Sequence, residues 1–188
     1  AFRYSADVLM KTSDVRDLFA YLKTLPAVAT PTAPHELKFP YSLRPAVGFW
    51  KLLYFKPHEF VADPKHTAAW NRGAYLSEGP AHCAECHTPR NALGGVEEAK
   101  LYSGAPNLEA GGRFASNITP HKDGIGDWSD TDIADFLKSG TDKCFNEPEG
   151  MKDVIASTSQ MSETDLAAIG SYIHALPASP GNPKHKTC

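Results

Sequence analysis

Cys83-Ala84-Glu85-Cys86-His87, continued by Thr88-Pro89-Arg90-Asn91, is the stretch from which the fold and the chemistry of this chain are read. Two thiols three positions apart can each add across a vinyl group of one haem. The histidine beside the second thiol sits where a ring nitrogen can reach the iron. Cys83 and Cys86 are therefore the candidate attachment residues of a haem c, and His87 is the candidate proximal ligand. A zinc site would need a second ligand pair at suitable spacing, whereas the other cysteines, Cys144 and Cys188, stand alone. A thioredoxin-like redox pair would need strand–helix alternation around it, which this sequence lacks. The chain reads as an electron carrier, or as the electron-carrying part of a larger machine.

An iron-bound imidazole needs an acceptor for its other ring nitrogen. The Pro89 carbonyl is close enough in sequence to serve His87. Arg90 is a candidate partner for a haem propionate, with an exposed, solvated arginine as the plain alternative. The sixth ligand should come from nearer the C-terminus, so that the chain embraces both haem faces. A methionine there raises the reduction potential and suits electron transfer. Met151 follows the irregular stretch Glu147-Pro148-Glu149-Gly150 and is favoured over Met161, which begins a helix where an apolar residue is wanted anyway. His82 is too near the attachment site to reach the opposite face, and His66, His121 and His174 read mostly as surface residues.

The chain has 188 residues and a net charge of −3, with no basic stripe, which argues against nucleic acid as the main partner. No apolar run is long enough to span a bilayer. Thioether attachment of haem implies assembly outside the cytoplasm, hence a periplasmic or other extracytoplasmic setting, with peripheral membrane association as a further option. In an oxidising compartment Cys144 and Cys188 are candidates for a disulfide, and Cys188 for a bond to another chain.

The segment Met10–Ala27 superposes without gaps on Met161–Ala178, a shift of 151 that aligns Asp14 with Asp165, Tyr21 with Tyr172 and Leu25-Pro26 with Leu176-Pro177. Val15, Leu18, Leu22 and Leu25 then fall on Leu166, Ile169, Ile173 and Leu176. Both sets have the spacing of an amphipathic helix with one buried face, stopped by proline. A repeat at this separation suggests two homologous domains. Residues 1–27 read as the closing helix of an upstream domain. Residues 28–66 read as a proline-rich linker with a short apolar helix at Ala46–Phe55, apolar nearly all round and so buried or docked. Residues 67–178 read as an all-α domain with one covalent haem, and 179–188 as a tail. Within the domain, a helix is expected at Ala68–Leu76, another carrying Ile133, Phe136 and Leu137 with Ser129 as its cap and Gly140 at its end, and a closing one at Glu163–Leu176. Residues 100–128 read as a loop able to wrap a haem edge.

Beyond the haem motif, several marks resemble the cytochrome c subunits of membrane-bound bacterial dehydrogenases for alcohols, aldehydes and sugar acids. They are Trp70-Asn71-Arg72-Gly73-Ala74-Tyr75-Leu76, Cys86 to Asn91, Asn117-Ile118-Thr119-Pro120, Gly124-Ile125-Gly126, Trp128-Ser129, and Met151 with Val154, Ser157 and Thr158. Pro34-His35, Phe39-Pro40 and Trp50-Lys51-Leu52-Leu53 extend the likeness into the linker. The resemblance implies class I cytochrome c domains in series, with His87 and Met151 as axial ligands, and Gly73 letting the first helix cross the closing helix near Tyr172. It also implies more haems in a full-length protein than the one encoded here. The expected role is outer-sphere electron transfer from a dehydrogenase subunit or neighbouring haem to a quinone, an oxidase or a soluble carrier. The competing roles are a haem enzyme with a labile sixth ligand, of peroxidase or thiosulfate-oxidising type, and a structural subunit of a cytochrome assembly.

Overall fold

The computed structural model describes residues 4–37, 39, 42–107, 113–142 and 150–181, which divide into two compact units, Ala1–Phe60 and Val61–Cys188. Among the described residues unit 1 holds the helices α1 (Tyr4–Asp7), α2 (Thr12–Leu22) and α3 (Arg44–Tyr54), with residues 26–37 without regular structure between α2 and α3. The Glu59 carboxylate accepts from the Thr12 backbone N–H at 3.2 Å and from its hydroxyl, so an acidic residue from beyond α3 satisfies an orphan donor at the start of α2. Phe60 N–H reaches the Leu9 carbonyl at 3.0 Å. The Lys51 ammonium sits over the rings of Tyr4 and Phe55 at 4.6 and 4.8 Å, a cation–π pair that fixes α1 against α3.

The amphipathic face foreseen for α2 forms but is not covered. Val15 is 45% exposed and no residue of α2 is buried. The apolar α3 differs from expectation in the same way. It buries no residue, and Leu52 is 81% exposed.

Unit 2 is built around its last helix. Five helices follow in order: α4 (Ala68–Glu78), α5 (Cys83–His87), α6 (Asp130–Ser139), α7 (Lys152–Thr158) and α8 (Glu163–His174). Thr67, Ser129 and Ser162 cap α4, α6 and α8 by accepting the backbone N–H three residues on. At α6 the Asp132 carboxylate returns the bond to complete a capping box. Gly140 ends α6 in the left-handed conformation at φ 75°. The periodic residues Leu166, Ile169 and Ile173 of α8 are buried, between α4 on one side and α6 on the other.

The expected all-α architecture is observed, with one departure. Residues 100–128 are not wholly irregular, because β1 (Ala105–Asn107) and β2 (Arg113–Ala115) pair antiparallel, with Ala105 opposite Ala115. Two short strands joined by turn formers carry too little periodicity to be seen in sequence. The first helix also runs two residues past Leu76, to Glu78.

Two glycines set the helix crossings. A Cβ on Gly73 would lie 1.9 Å from the Ala168 carbonyl oxygen and 2.8 Å from Tyr172 Cβ. One on Gly170 would lie 2.2 Å from the Asp130 carbonyl oxygen. Glycine is thus what allows α4 to meet α8, and α8 to meet the start of α6, backbone to backbone. The Arg72–Asp165 fork, with bonds of 2.7 and 3.0 Å, bridges α4 and α8 at the surface. Exposure limits such a pair to about 1 kcal/mol or less. Gly73→Ala should therefore cost far more than loss of Arg72. We expect a loss of roughly 1–3 kcal/mol from overpacking, measured as the shift in urea midpoint of the haem-loaded protein, against a much smaller shift for Arg72→Ala.

Candidate cofactor site

The Cys-x-x-Cys-His stretch occupies one short helix, α5, entered through His82 in the left-handed conformation at φ 41°. Non-glycine residues seldom take that conformation, and here it marks a sharp turn from the end of α4 into the motif. Neither thiol is in a disulfide, and both are half-buried. Burial, the larger effect, pushes the Cys83 thiol up to about 11, and the neighbouring Cys86 adds to it. Cys83 is therefore held as a protonated thiol facing an apolar interior, not as a reactive surface thiolate. Among the described residues no group of three or more His, Cys, Asp or Glu side chains could hold a metal ion.

His87 is buried, and its Nδ1 donates to the Ser116 carbonyl at 2.7 Å. The acceptor is a carbonyl, so Nδ1 carries the proton and Nε2 keeps its lone pair. Burial lowers the His87 pKa, against a smaller upward pull from the Ser116 carbonyl. The neutral ring is the form that ligates a metal. The acceptor expected from sequence, the Pro89 carbonyl, is engaged elsewhere and takes the Glu97 N–H at 3.0 Å. A residue two positions on lies on the wrong side of the Thr88 extended turn, whereas β2 returns Ser116 to the ring.

Three further bonds bind this histidine to the loop after it. The His87 carbonyl accepts from Gly104 N–H at 2.7 Å, and Thr88 Oγ1 accepts from Tyr102 N–H at 3.0 Å. The Tyr102 carbonyl accepts from Ile118 N–H at 2.9 Å. Asn117 and Thr119 are both fully buried. Asn117 Nδ2 donates to the Ser179 carbonyl at 2.8 Å, and its Oδ1 accepts from the Thr119 N–H at 2.8 Å. The Asn117-Ile118-Thr119 mark thus ties the strand that orients His87 to the tail beyond α8.

Arg90 is not free to reach outward. It pairs with the Glu85 carboxylate and donates to the Gly94 carbonyl at 3.0 Å, bracing the 90–96 turn against α5. Met151 is half-buried and stands as the N-cap of α7, its carbonyl accepting from Ile155 N–H at 2.8 Å. The irregular stretch foreseen around it therefore gives way to helix at Lys152. Met161 is also half-buried and closes a turn onto the Thr158 carbonyl. The remaining histidines have local partners. His66 stacks on Trp70 at 3.8 Å, His121 pairs with Asp123, and His174 Nδ1 meets the Trp128 carbonyl at 3.1 Å. Cys144 and Cys188, with their candidate disulfide, lie outside the described residues. Sequence reasoning missed Ser116 and Tyr102. Ser116 acts through its backbone and leaves no side-chain signal.

No family model matches the chain. Known relatives do. It is 40% identical over 179 residues to a diheme cytochrome c-type protein of Cereibacter sphaeroides, covering 95% of this chain and 59% of that protein. It is 36% identical over 184 residues to the fructose dehydrogenase cytochrome subunit of Gluconobacter japonicus, 95% of this chain and 37% of the relative. It is 35% identical over 189 residues to the cytochrome c subunit of a quinone alcohol dehydrogenase from Gluconacetobacter polyoxogenes, 96% of this chain and 40% of the relative. The helical fold and these relatives mark a c-type cytochrome, and the homologues imply haem c as its cofactor. In particular, the chain is a homologue of the cytochrome c subunits of bacterial dehydrogenases, and it spans 59%, 37% and 40% of the lengths of these three relatives.

Asn117→Ala would leave the buried Thr119 N–H and Ser179 carbonyl short of partners. Each orphaned group costs about 1–3 kcal/mol. We expect a destabilisation in that range by urea unfolding, together with a changed haem spectrum as the Ser116 strand loosens.

Proposed function

We propose that this chain carries electrons by outer-sphere transfer through one haem c, bound through Cys83 and Cys86 and ligated by His87 and Met151. The observation that carries the reading is the buried His87, with Nδ1 spent on the Ser116 carbonyl and Nε2 left for iron. Haem c supplies a one-electron couple when bound. The chain's own contribution is to hold a neutral imidazole in one orientation, to exclude water around it, and to present a methionine sulfur before α7. His87 and Met151 would together hold the iron and leave no place on it for a substrate, so the reading is an electron-transfer subunit, and the labile-ligand enzyme is not favoured. Arg90, already paired with Glu85, acts by bracing α5, and Pro89 by starting the turn that follows it.

The partner is a dehydrogenase subunit or neighbouring haem on the electron-donating side, with a quinone, an oxidase or a soluble carrier as acceptor. The setting is extracytoplasmic, where thioether attachment is made. Among the described residues no helix is long and apolar enough to cross a membrane. Residues 1–27 close a second cytochrome c-like domain, 28–66 link it to the haem domain at 67–178, and 179–188 form a tail. The support is that α2 and α8 begin at equivalent positions, Thr12 and Glu163, and carry the same stripe, buried in α8 and exposed in α2. A full-length protein would then carry more than one haem, as the diheme relative's name states of that protein.

Met151→Ala should leave the haem covalently attached, lower the reduction potential and let added imidazole bind the iron. Met161→Ala should do none of these. Potentiometry with absorbance detection decides it. Unchanged potential and an unchanged methionine–iron band in Met151→Ala would remove Met151 from the site.

A further inference from the structure

Beside the attachment helix lies a group that the site described so far does not use. Glu78 is the last residue of α4 and is half-buried. Its Oε1 accepts from the Tyr172 hydroxyl of α8 at 2.5 Å, and among the described residues no lysine, arginine or histidine pairs with it. A carboxylate drawn inward without a cation is uncommon, because its charge has been partly taken out of water with no counter-charge to repay the loss.

The surroundings place that charge next to the cofactor's attachment point. Ser77, the preceding residue, is fully buried. Its hydroxyl lacks a complete hydrogen bond and lies against the Cys83 thiol. Tyr172 and Tyr102 both feel the charges of Glu78 and Cys83. Tyr102 holds the left-handed conformation at φ 62°, an outlier for a bulky residue. It is kept there by the Thr88 hydroxyl and Ile118 N–H bonds that also frame His87. Its ring meets Tyr172 edge-on at 6.2 Å, and its own buried hydroxyl lacks a complete hydrogen bond. Burial, with Glu78 and Cys83 adding, pushes both phenols well above the usual tyrosine range, so they remain protonated and offer Glu78 only donors.

We propose that Glu78 is a potential-setting residue of this cytochrome, whose negative charge, anchored by Tyr172 on the Cys83 side of the site, favours the oxidised cofactor. The proposal rests on the haem reading above. Oxidised haem carries one more positive charge than reduced haem, and an unscreened carboxylate at close range stabilises it. On reduction, one electron from the donor protein, or from a mediator dye in the test, removes that positive charge. The titratable groups facing Glu78 are Tyr172 from α8, Tyr102 from the loop and Cys83 from α5, whose sulfur is spent once haem is attached. The other charged groups of these elements are engaged apart from it: Asp165 with Arg72, Glu85 with Arg90, and His174 with the Trp128 carbonyl. His82, whose backbone N–H bonds to the Gly79 carbonyl, is the remaining titratable residue on this turn.

The test is the reduction potential of the haem-loaded protein, measured at one fixed pH for the unaltered chain, Glu78→Gln, Glu78→Asp and His82→Gln. Glu78→Gln should have the higher potential. Glu78→Asp should stay near the unaltered protein, and His82→Gln should leave the Glu78-dependent difference in place. Equal potentials for the unaltered protein and Glu78→Gln overturn the proposal. If Glu78→Gln assembles poorly, Tyr172→Phe removes only the anchoring hydroxyl, and an unchanged potential there overturns it equally. An unaltered protein without covalent haem, or an unmoved potential in Met151→Ala, would instead defeat the haem reading itself. These outcomes do not overlap with those of the Glu78 series.

Discussion

The 2.7 Å bond from His87 Nδ1 to the Ser116 carbonyl joins residues 29 apart, and the cofactor side of unit 2 is organised by it. A buried imidazole with both nitrogens unsatisfied would be expensive, and one with a rotatable ring would be a poor ligand. Spending one nitrogen on a fixed carbonyl removes both problems. The carbonyl itself must then be fixed, and the strand pair does this on one side while Asn117 and Thr119 do it on the other. The Gly104 N–H to the His87 carbonyl completes the closure. A segment that reads as a loop is therefore a support for the histidine, and its buried polar residues are there because each has a partner.

The helical half of unit 2 answers a different constraint. With so few helices, a core is built only if backbones come close, and Gly73 and Gly170 permit the approach on the two faces of α8. α8 then presents Leu166, Ile169 and Ile173 inward at 2–3% exposure. The equivalent stripe of α2 is exposed. The same pattern is core in one setting and surface in the other. A hydrophobic period specifies that a face wants a partner, and only packing supplies one.

That distinction also decides what could be read from the residues alone. The motif Cys83 to His87, the caps at Ser129 and Gly140 and the period of α8 are local, so they were legible and the elements appear where expected. The misreadings are all non-local. The Pro89 carbonyl is near His87 in sequence, yet the strand brings the Ser116 carbonyl nearer in space. Arg90 reads in sequence as a propionate partner or a solvated arginine, and its pair with Glu85 appears only in the structure. Tyr102 carried no signal at all, since a left-handed tyrosine depends on Thr88 and Ile118 holding it.

The polar residues of unit 2 divide accordingly. Asn117, Thr119 and Thr88 are buried with their hydrogen bonds made, and they can be explained as structure. Ser77, Tyr102 and Glu78 sit along the Cys83 side with bonds incomplete or a charge uncompensated. If stability alone had shaped that side, apolar residues of similar size would serve it better, since half-satisfied polar groups weaken a core. Their concentration at one edge of the attachment helix places the cost where a cofactor's charge changes. A fixed carboxylate and aligned hydroxyls act there on the oxidised and reduced states unequally. On the proposal made above, the Ser116 side holds the histidine ligand and the Glu78 side sets the potential.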